Sequence, residues 1–226
     1  MSSQAVSGAL LRSLVQPVWR SLPWRALSTA GGLGLLLAGT TRLSDHAPDA
    51  DLGRLILRLT ALIGALGIAF LLDDPARNTT AATPLGRAPR AALRLALTAP
   101  IAALWWTTAL LLLPAPTRPA LGPATLEAAA MAVGALALAT AAIRFTDTAE
   151  AGRPTAIWLG VAAVLAVLIP NRWGLLGTPQ DPYWAATQVR WALLLGVTAT
   201  MSVLWTPEPL HRVRRRRPVS FSPSGA

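Results

Sequence analysis

The sequence predicts an all-α integral membrane protein: six transmembrane helices preceded by an amphipathic interfacial helix, with both termini cytoplasmic. Three observations predict this. Only 13% of the 226 residues are charged and 53% are hydrophobic, whereas a soluble domain carries about 25% charged residues. Apolar segments recur along the chain between polar, breaker-rich turns, and a spanning helix takes about 20 residues at about 1.5 Å each. The 20 basic residues are all arginine, and they fall unevenly between alternate connections, as the positive-inside rule requires of a chain that crosses repeatedly.

Residues 1–25 form the interfacial element. Leu11, Leu14, Val15, Val18 and Leu22 share one helical face, and Arg12, Ser13, Gln16 and Arg20 fall away from it. That pattern suits a helix lying in the membrane surface, with Trp19 and Trp24 at headgroup depth. Pro17 interrupts the helix, so two pieces or a bend are expected. A secretory signal peptide is disfavoured, because the apolar run starts only near Ala26 and no small-x-small cleavage site follows.

Residues 26–206 are the transmembrane domain. Its six apolar segments are Ala26 to Leu43, Leu55 to Leu72, Pro89 to Leu113, Thr125 to Ile143, Thr155 to Ile169 and Val189 to Trp205. The third is the longest and contains Pro100, a candidate kink or gate. Six spans return both ends to one side. Arg12, Arg20 and Arg25, Arg77, Arg87, Arg90 and Arg94, Arg144 and Arg153, and the run from Arg212 to Arg217 lie on the side expected to be cytoplasmic. They account for 14 of the 20 arginines. Residues 207–226 are a basic tail, expected to be disordered and to touch anionic lipid rather than nucleic acid. The chain is therefore expected in the cytoplasmic membrane.

The outer connections are short. The first holds Asp45, Asp49 and Asp51, and the second, Pro114 to Pro123, is dense in proline. The third, Asn171 to Gln188, carries Trp173, Tyr183 and Trp184 among Gly174, Gly177, Pro179 and Pro182. Either a re-entrant hairpin or an interfacial loop with aromatic anchors fits it.

Between the second and third segments lies LLDDPARNTTAATPLGRAPRAALRLALTAP, from Leu71 to Pro100. Asp73 and Asp74 before Pro75 make a helix start, and Thr83-Pro84 with Gly86 ends that short helix. Arg77, Arg87, Arg90 and Arg94 put the stretch in the cytoplasm. The run TPLGRAPRAALRLAL resembles the segment that follows the coupling helix in permeases of type-two ABC exporters. There, a Thr-Pro, a small apolar residue, a basic residue and an apolar helix succeed one another. This sequence departs from the family at Arg77, Asn78, Thr79 and Thr80, where a more apolar, Glu-containing helix is usual.

The resemblance implies a permease subunit whose coupling segment, residues 73–90, is moved by a partner ATPase. Asp74, Pro75, Arg77, Asn78, Thr79, Thr80, Thr83, Pro84 and Arg87 are its candidate contact residues. It further implies a second copy or a sister permease, surrounding lipid, and ATP with Mg held by the partner, with no cofactor on this chain. The cargo is expected to be amphipathic or hydrophobic, since the spans carry almost no fixed charge. The alternative is an accessory or scaffold subunit that transports nothing.

Ionisable groups inside apolar segments are functional candidates. Arg54 and Arg58 stand one turn apart near the outer end of the second segment, and Glu127 lies at similar depth in the fourth. Arg58 and Glu127 are a candidate outer-face charge pair; simple interfacial anchoring is the competing explanation. The fourth segment is small-faced, with Ala128, Ala129, Ala130, Gly134, Ala135 and Ala139, and Gly64 and Gly67 repeat this in the second. Small faces let helices approach closely and are expected to be packing surfaces.

Several chemistries are disfavoured. There is no cysteine, and His46 and His211 are expected on opposite sides of the membrane. No G-x-x-x-x-G-K-[ST] loop occurs, so ATP hydrolysis by that route is excluded. Asp73-Asp74-Pro75-Ala76-Arg77 superficially resembles membrane alcohol phosphotransferases, but the next acid is Glu127, and the required downstream aspartates are missing.

Overall fold

The computed structural model describes residues 16, 18–43, 49–73, 87–146, 150–170 and 172–205, with only the backbone given for 87–90 and 146. Six α-helices of 16 residues or more run through them: α1 (Trp24–Gly39), α2 (Ala50–Ala69), α3 (Arg87–Leu112), α4 (Leu121–Thr146), α5 (Gly152–Leu168) and α6 (Trp184–Trp205). Each overlaps one apolar segment of the sequence, and no strand occurs among the described residues. Three stretches are long and apolar enough to cross a membrane: Ala50–Ala69, Ala91–Leu112 and Leu121–Phe145. The helix α5 is apolar but only 17 residues long.

Local chemistry explains the boundaries. Before α1, Val18–Arg20 is helical and the chain turns at Ser21–Leu22, short of the helix expected through Leu22. Trp24 Nε1 donates to Trp19 O at 2.9 Å and the two rings lie 4.6 Å apart, which holds the turn shut. The first turn of α2 contains Asp51, which the helix N-terminus favours. It starts at Ala50, five residues before the apolar run, because Asp51 pairs with Arg54 at 2.9 Å. A short 3₁₀ turn, Ala115–Thr117, joins α3 to α4, where prolines bar a longer helix. Inside the helices, hydroxyls turn back on their own backbone. Thr98 Oγ1 donates to Arg94 O at 2.7 Å, and Thr198, Thr200 and Ser202 each reach the carbonyl four residues earlier. These bonds satisfy polar side chains within an apolar setting.

Contacts between helix ends set the directions: α1 runs parallel to α3, α4 parallel to α6, and α2 opposite to α5. Arg42 after α1 reaches the carbonyls of Leu111 and Leu112 at the end of α3. Asp73 after α2 meets Gly152 at the start of α5. Phe145 near the end of α4 packs edge-on to Trp205 at the end of α6, 5.7 Å between centroids. The centre is α2 and α4, which pack on each other; α1 covers α2, and α5 and α6 cover α4. The helix α3 leans chiefly on α1.

The core is built from small residues. Ala130, Ala135 and Ala139 of α4 are fully buried. A Cβ on Gly67 would lie 2.7 Å from Ala30 Cβ, and one on Gly34 or Gly64 would lie 2.5 or 2.7 Å from the Trp105 ring. The glycines therefore form a slot for that ring, whose Nε1 donates to Gly31 O at 2.9 Å. Gly134 differs: a Cβ there meets nothing within 4 Å. The small face of α4 is thus a packing surface only in part, and Ala128 and Ala129 line a cavity instead.

Candidate functional site

Arg58 stands on α2 two turns past its start, and Glu127 sits in the second turn of α4. Packing of α2 on α4 brings them together. Arg58 Nε donates to Glu127 Oε2 at 2.7 Å and Arg58 Nη2 to Oε1 at 3.0 Å, a two-pronged pair with side chains 11% and 5% exposed. Burial at this level goes beyond interfacial anchoring, because neither charged head is left in solvent. Two further guanidinium hydrogens are also used: Arg58 donates to the carbonyls of Leu176 and Gly177, both at 2.9 Å. Gln188 Nε2 approaches Glu127 Oε1 at 3.4 Å.

Those carbonyls belong to the connection between α5 and α6, which wraps over this end of the bundle. Arg190 on α6 donates to Gly174 O and Arg172 O, and Trp191 Nε1 donates to Leu175 O at 2.8 Å. Thr178 N donates to Asp181 Oδ2 at 2.6 Å, closing a turn before Trp184 starts α6. The described part, 172–183, holds turns and no helix. Glycine and proline prevent a helix here, and the exposed carbonyls take side-chain donors instead of helical N–H groups. Beside this cluster, Arg54 is buried, paired with Asp51, and 5.6 Å over the Trp184 ring.

A second polar cluster lies at the opposite end. Arg94, in the second turn of α3, is buried. It donates to Asp73 O at 3.1 Å, Leu71 O at 3.4 Å and Ser21 Oγ at 3.4 Å. One guanidinium thus ties the start of α3 to the end of α2 and to the turn before α1. The Asp73 carboxylate accepts from Gly152 N at 2.7 Å and caps α5. Burial pushes the Asp73 carboxyl above the usual carboxylate range, with Glu150 adding to the rise; the Gly152 and Ala151 amides and Arg94 oppose it.

Of the residues expected in the coupling segment, Asp74, Pro75, Arg77, Asn78, Thr79, Thr80, Thr83 and Pro84 lie outside the described residues, as do His46, His211 and the basic tail. Arg87 begins α3, with its backbone alone described. Pro100 lies within α3 on an exposed face, and the helix continues through it. Arg58 and Glu127 are brought together; Pro100 belongs to neither polar cluster.

Sequence reasoning missed Arg94, which it counted among arginines that orient the chain, and Asp73, which it assigned to the start of a helix in the following segment. A signal for Arg94 was present: it falls in the apolar run RAALRLAL, where an arginine facing the bundle must find acceptors. Arg190 and Trp191 carried no comparable signal, because their acceptors are loop carbonyls.

Between the two clusters, α1 to α4 enclose an apolar cavity of about 300 Å³, lined by Gly31, Gly64, Thr98, Ala102, Trp105, Ala129 and their neighbours. Among the described residues, no three His, Asp or Glu side chains gather as a metal-binding group. The arrangement offers packing, two charged latches and an apolar space. No family model, curated protein or solved structure matches the chain.

Proposed function

We propose that this chain is the transmembrane permease subunit of an ATP-driven exporter that resembles the type-two ABC class. It would span the membrane six times, with both termini cytoplasmic, and move an amphipathic or hydrophobic cargo with a second permease copy or sister and a separate ATPase. The observation that carries the reading is the Arg94–Asp73 cluster on either side of residues 74–86. A force applied to that segment would reach α2 through Leu71 and Asp73, α3 through Arg94, the turn before α1 through Ser21, and α5 through Gly152.

Co-purification of the chain with its native partners is the direct test, with an ATPase subunit the expected companion. Proline at Thr80, costing about 3 kcal/mol within a helix, and the charge reversal Arg77→Glu are each expected to abolish ATPase association while the protein still inserts. Wild-type association and export in both variants would reject the coupling role and favour an accessory or scaffold subunit. The absence of native cysteine gives a clean test of the six-span arrangement. Ala81→Cys and Ser220→Cys should label only from the cytoplasm, and Ala47→Cys and Thr178→Cys only from outside. Labelling of Ala47→Cys and Ala81→Cys from the same side would mean that α2 does not span.

A further inference from the structure

The cavity between α1 and α4 has a shape and a lining that identify its occupant by chemistry. Along α3 it runs from Thr98 to Trp106, a distance of about 12 Å at 1.5 Å per residue. The space is therefore elongated parallel to the helices. Its wall is mostly glycine and alanine with the rings of Trp24, Trp105 and Trp106, together with three larger aliphatic side chains and two threonines.

The three indole hydrogens and the Thr98 hydroxyl hydrogen on that wall are already spent. Trp24 Nε1 donates to Trp19 O, Trp105 Nε1 to Gly31 O and Trp106 Nε1 to Thr125 Oγ1 at 3.2 Å, while Thr98 Oγ1 donates to Arg94 O. A buried water needs two to four polar partners, and apolar cavities without them stay dry and take apolar guests. At about 30 Å³ for each water-sized unit, the cavity of about 300 Å³ accommodates an alkyl segment of roughly ten such units. Ile101, 39% exposed, lies on its rim, so the space reaches the side of the bundle. Exposed Arg25 follows Trp24 in α1, and exposed Arg20 lies just before the turn that precedes it.

We propose that this cavity is a binding site for one acyl chain of an anionic membrane phospholipid, with the headgroup at the Trp24 end beside Arg20 and Arg25. The chain wedges α3 away from α4, filling a gap that small residues on both helices would otherwise close. This site does not depend on the exporter reading, since it needs neither cargo nor ATPase.

Photo-cross-linking tests it on the full-length protein reconstituted in vesicles. The probe is phosphatidylglycerol with a diazirine in one acyl chain, compared with phosphatidylcholine carrying the same chain. The expected result is labelling of Ala102 and Ala129, stronger with phosphatidylglycerol and weakened by Arg25→Gln. Ala129→Phe and, separately, Ala102→Phe should reduce labelling at the cavity to background, while labelling of exposed Val203 and Leu204 on α6 is unchanged. The α6 signal and helical circular dichroism report whether each variant is folded. Absence of label at Ala102 and Ala129 in the wild type would overturn the proposal, as would labelling that both folded phenylalanine variants leave intact. Equal labelling by the two lipids would overturn the anionic headgroup.

Discussion

The two ends of the bundle are each fastened by an arginine, and they differ in what the arginine meets. Arg58 meets a carboxylate in two short bonds of 2.7 and 3.0 Å and two loop carbonyls at 2.9 Å. The bonds of Arg94 to Asp73 O, Leu71 O and Ser21 Oγ are longer, at 3.1 to 3.4 Å. Its neighbouring carboxylate, Asp73, is engaged by a backbone amide. Charge-assisted two-pronged pairs are about twice as strong as neutral hydrogen bonds and fix direction as well as distance. The Arg58 end is therefore a closed clamp on α2, α4 and the connection before α6. The Arg94 end ties the end of α2, the start of α3 and the turn before α1 through backbone carbonyls and a hydroxyl, and it lies where a partner is proposed to push.

The largest effect that tests this contrast comes from the clamp. Glu127→Ala leaves Arg58 buried without its carboxylate, and removing one partner of a buried pair costs about 3–5 kcal/mol. A matching fall in the thermal unfolding midpoint is expected in micelles. Adding Arg58→Met should restore most of it, because apolar replacement of a buried pair is often neutral. An unchanged midpoint in Glu127→Ala would mean that the two ends are equally loose.

Arg94→Ala should cost about 1–3 kcal/mol by stranding the carbonyls of Leu71 and Asp73. Hydrogen exchange should rise at the end of α2 and near Ser21, with amides around Leu176 unchanged. Acceleration at both ends together would show that the two clusters act as one unit.

A smaller effect probes the seam between the ends. Gly64→Ala places a Cβ 2.7 Å from Trp105. Overpacking costs about 1–3 kcal/mol, and the helix preference for alanine offsets about 1 kcal/mol of that. A modest net loss is expected in a denaturation series, whereas Gly134→Ala, with open space around it, should be neutral or stabilising. Equal behaviour of the two would remove the slot as the reason α1, α2 and α3 meet.

The smallest effect is a pH dependence. The Asp73 carboxyl is raised by burial, so the folded state favours its protonated form. The stability this contributes is fully present below the ordinary carboxylate value and is lost as pH rises through the raised one. Asp73→Asn keeps an acceptor for Gly152 N and should flatten that slope in a pH series of unfolding midpoints. A slope that survives would assign it to another carboxylate.

Much of the fold was legible because apolar length is written directly in the sequence. Each of α1 to α6 overlaps its apolar run, and the ends that moved did so for local reasons, as when Asp51 extended α2 by pairing with Arg54. The Arg58–Glu127 pair was a candidate from the sequence, because both charges fall at similar positions within their apolar segments, and the packing of α2 on α4 decided it against interfacial anchoring. The hold on Arg58 by Leu176 and Gly177 was not, because a backbone carbonyl has no residue type to announce it. The same holds for Arg94, whose partners include two carbonyls, and for Asp73, whose partner is the amide of Gly152, 79 positions away in the chain.

The sequence by itself determined where the long apolar helices run and their approximate length, since these follow from composition and the 1.5 Å rise. Tertiary packing decided which helices touch. It set α2 on α4 so that opposite charges met, and it placed three glycines around the Trp105 ring. It also joined α3 to α4 at Trp106 and Thr125 and left an apolar space beside that contact. Such outcomes depend on the fit of side-chain volumes across helices distant in sequence, a property of surfaces in contact that no single helix carries.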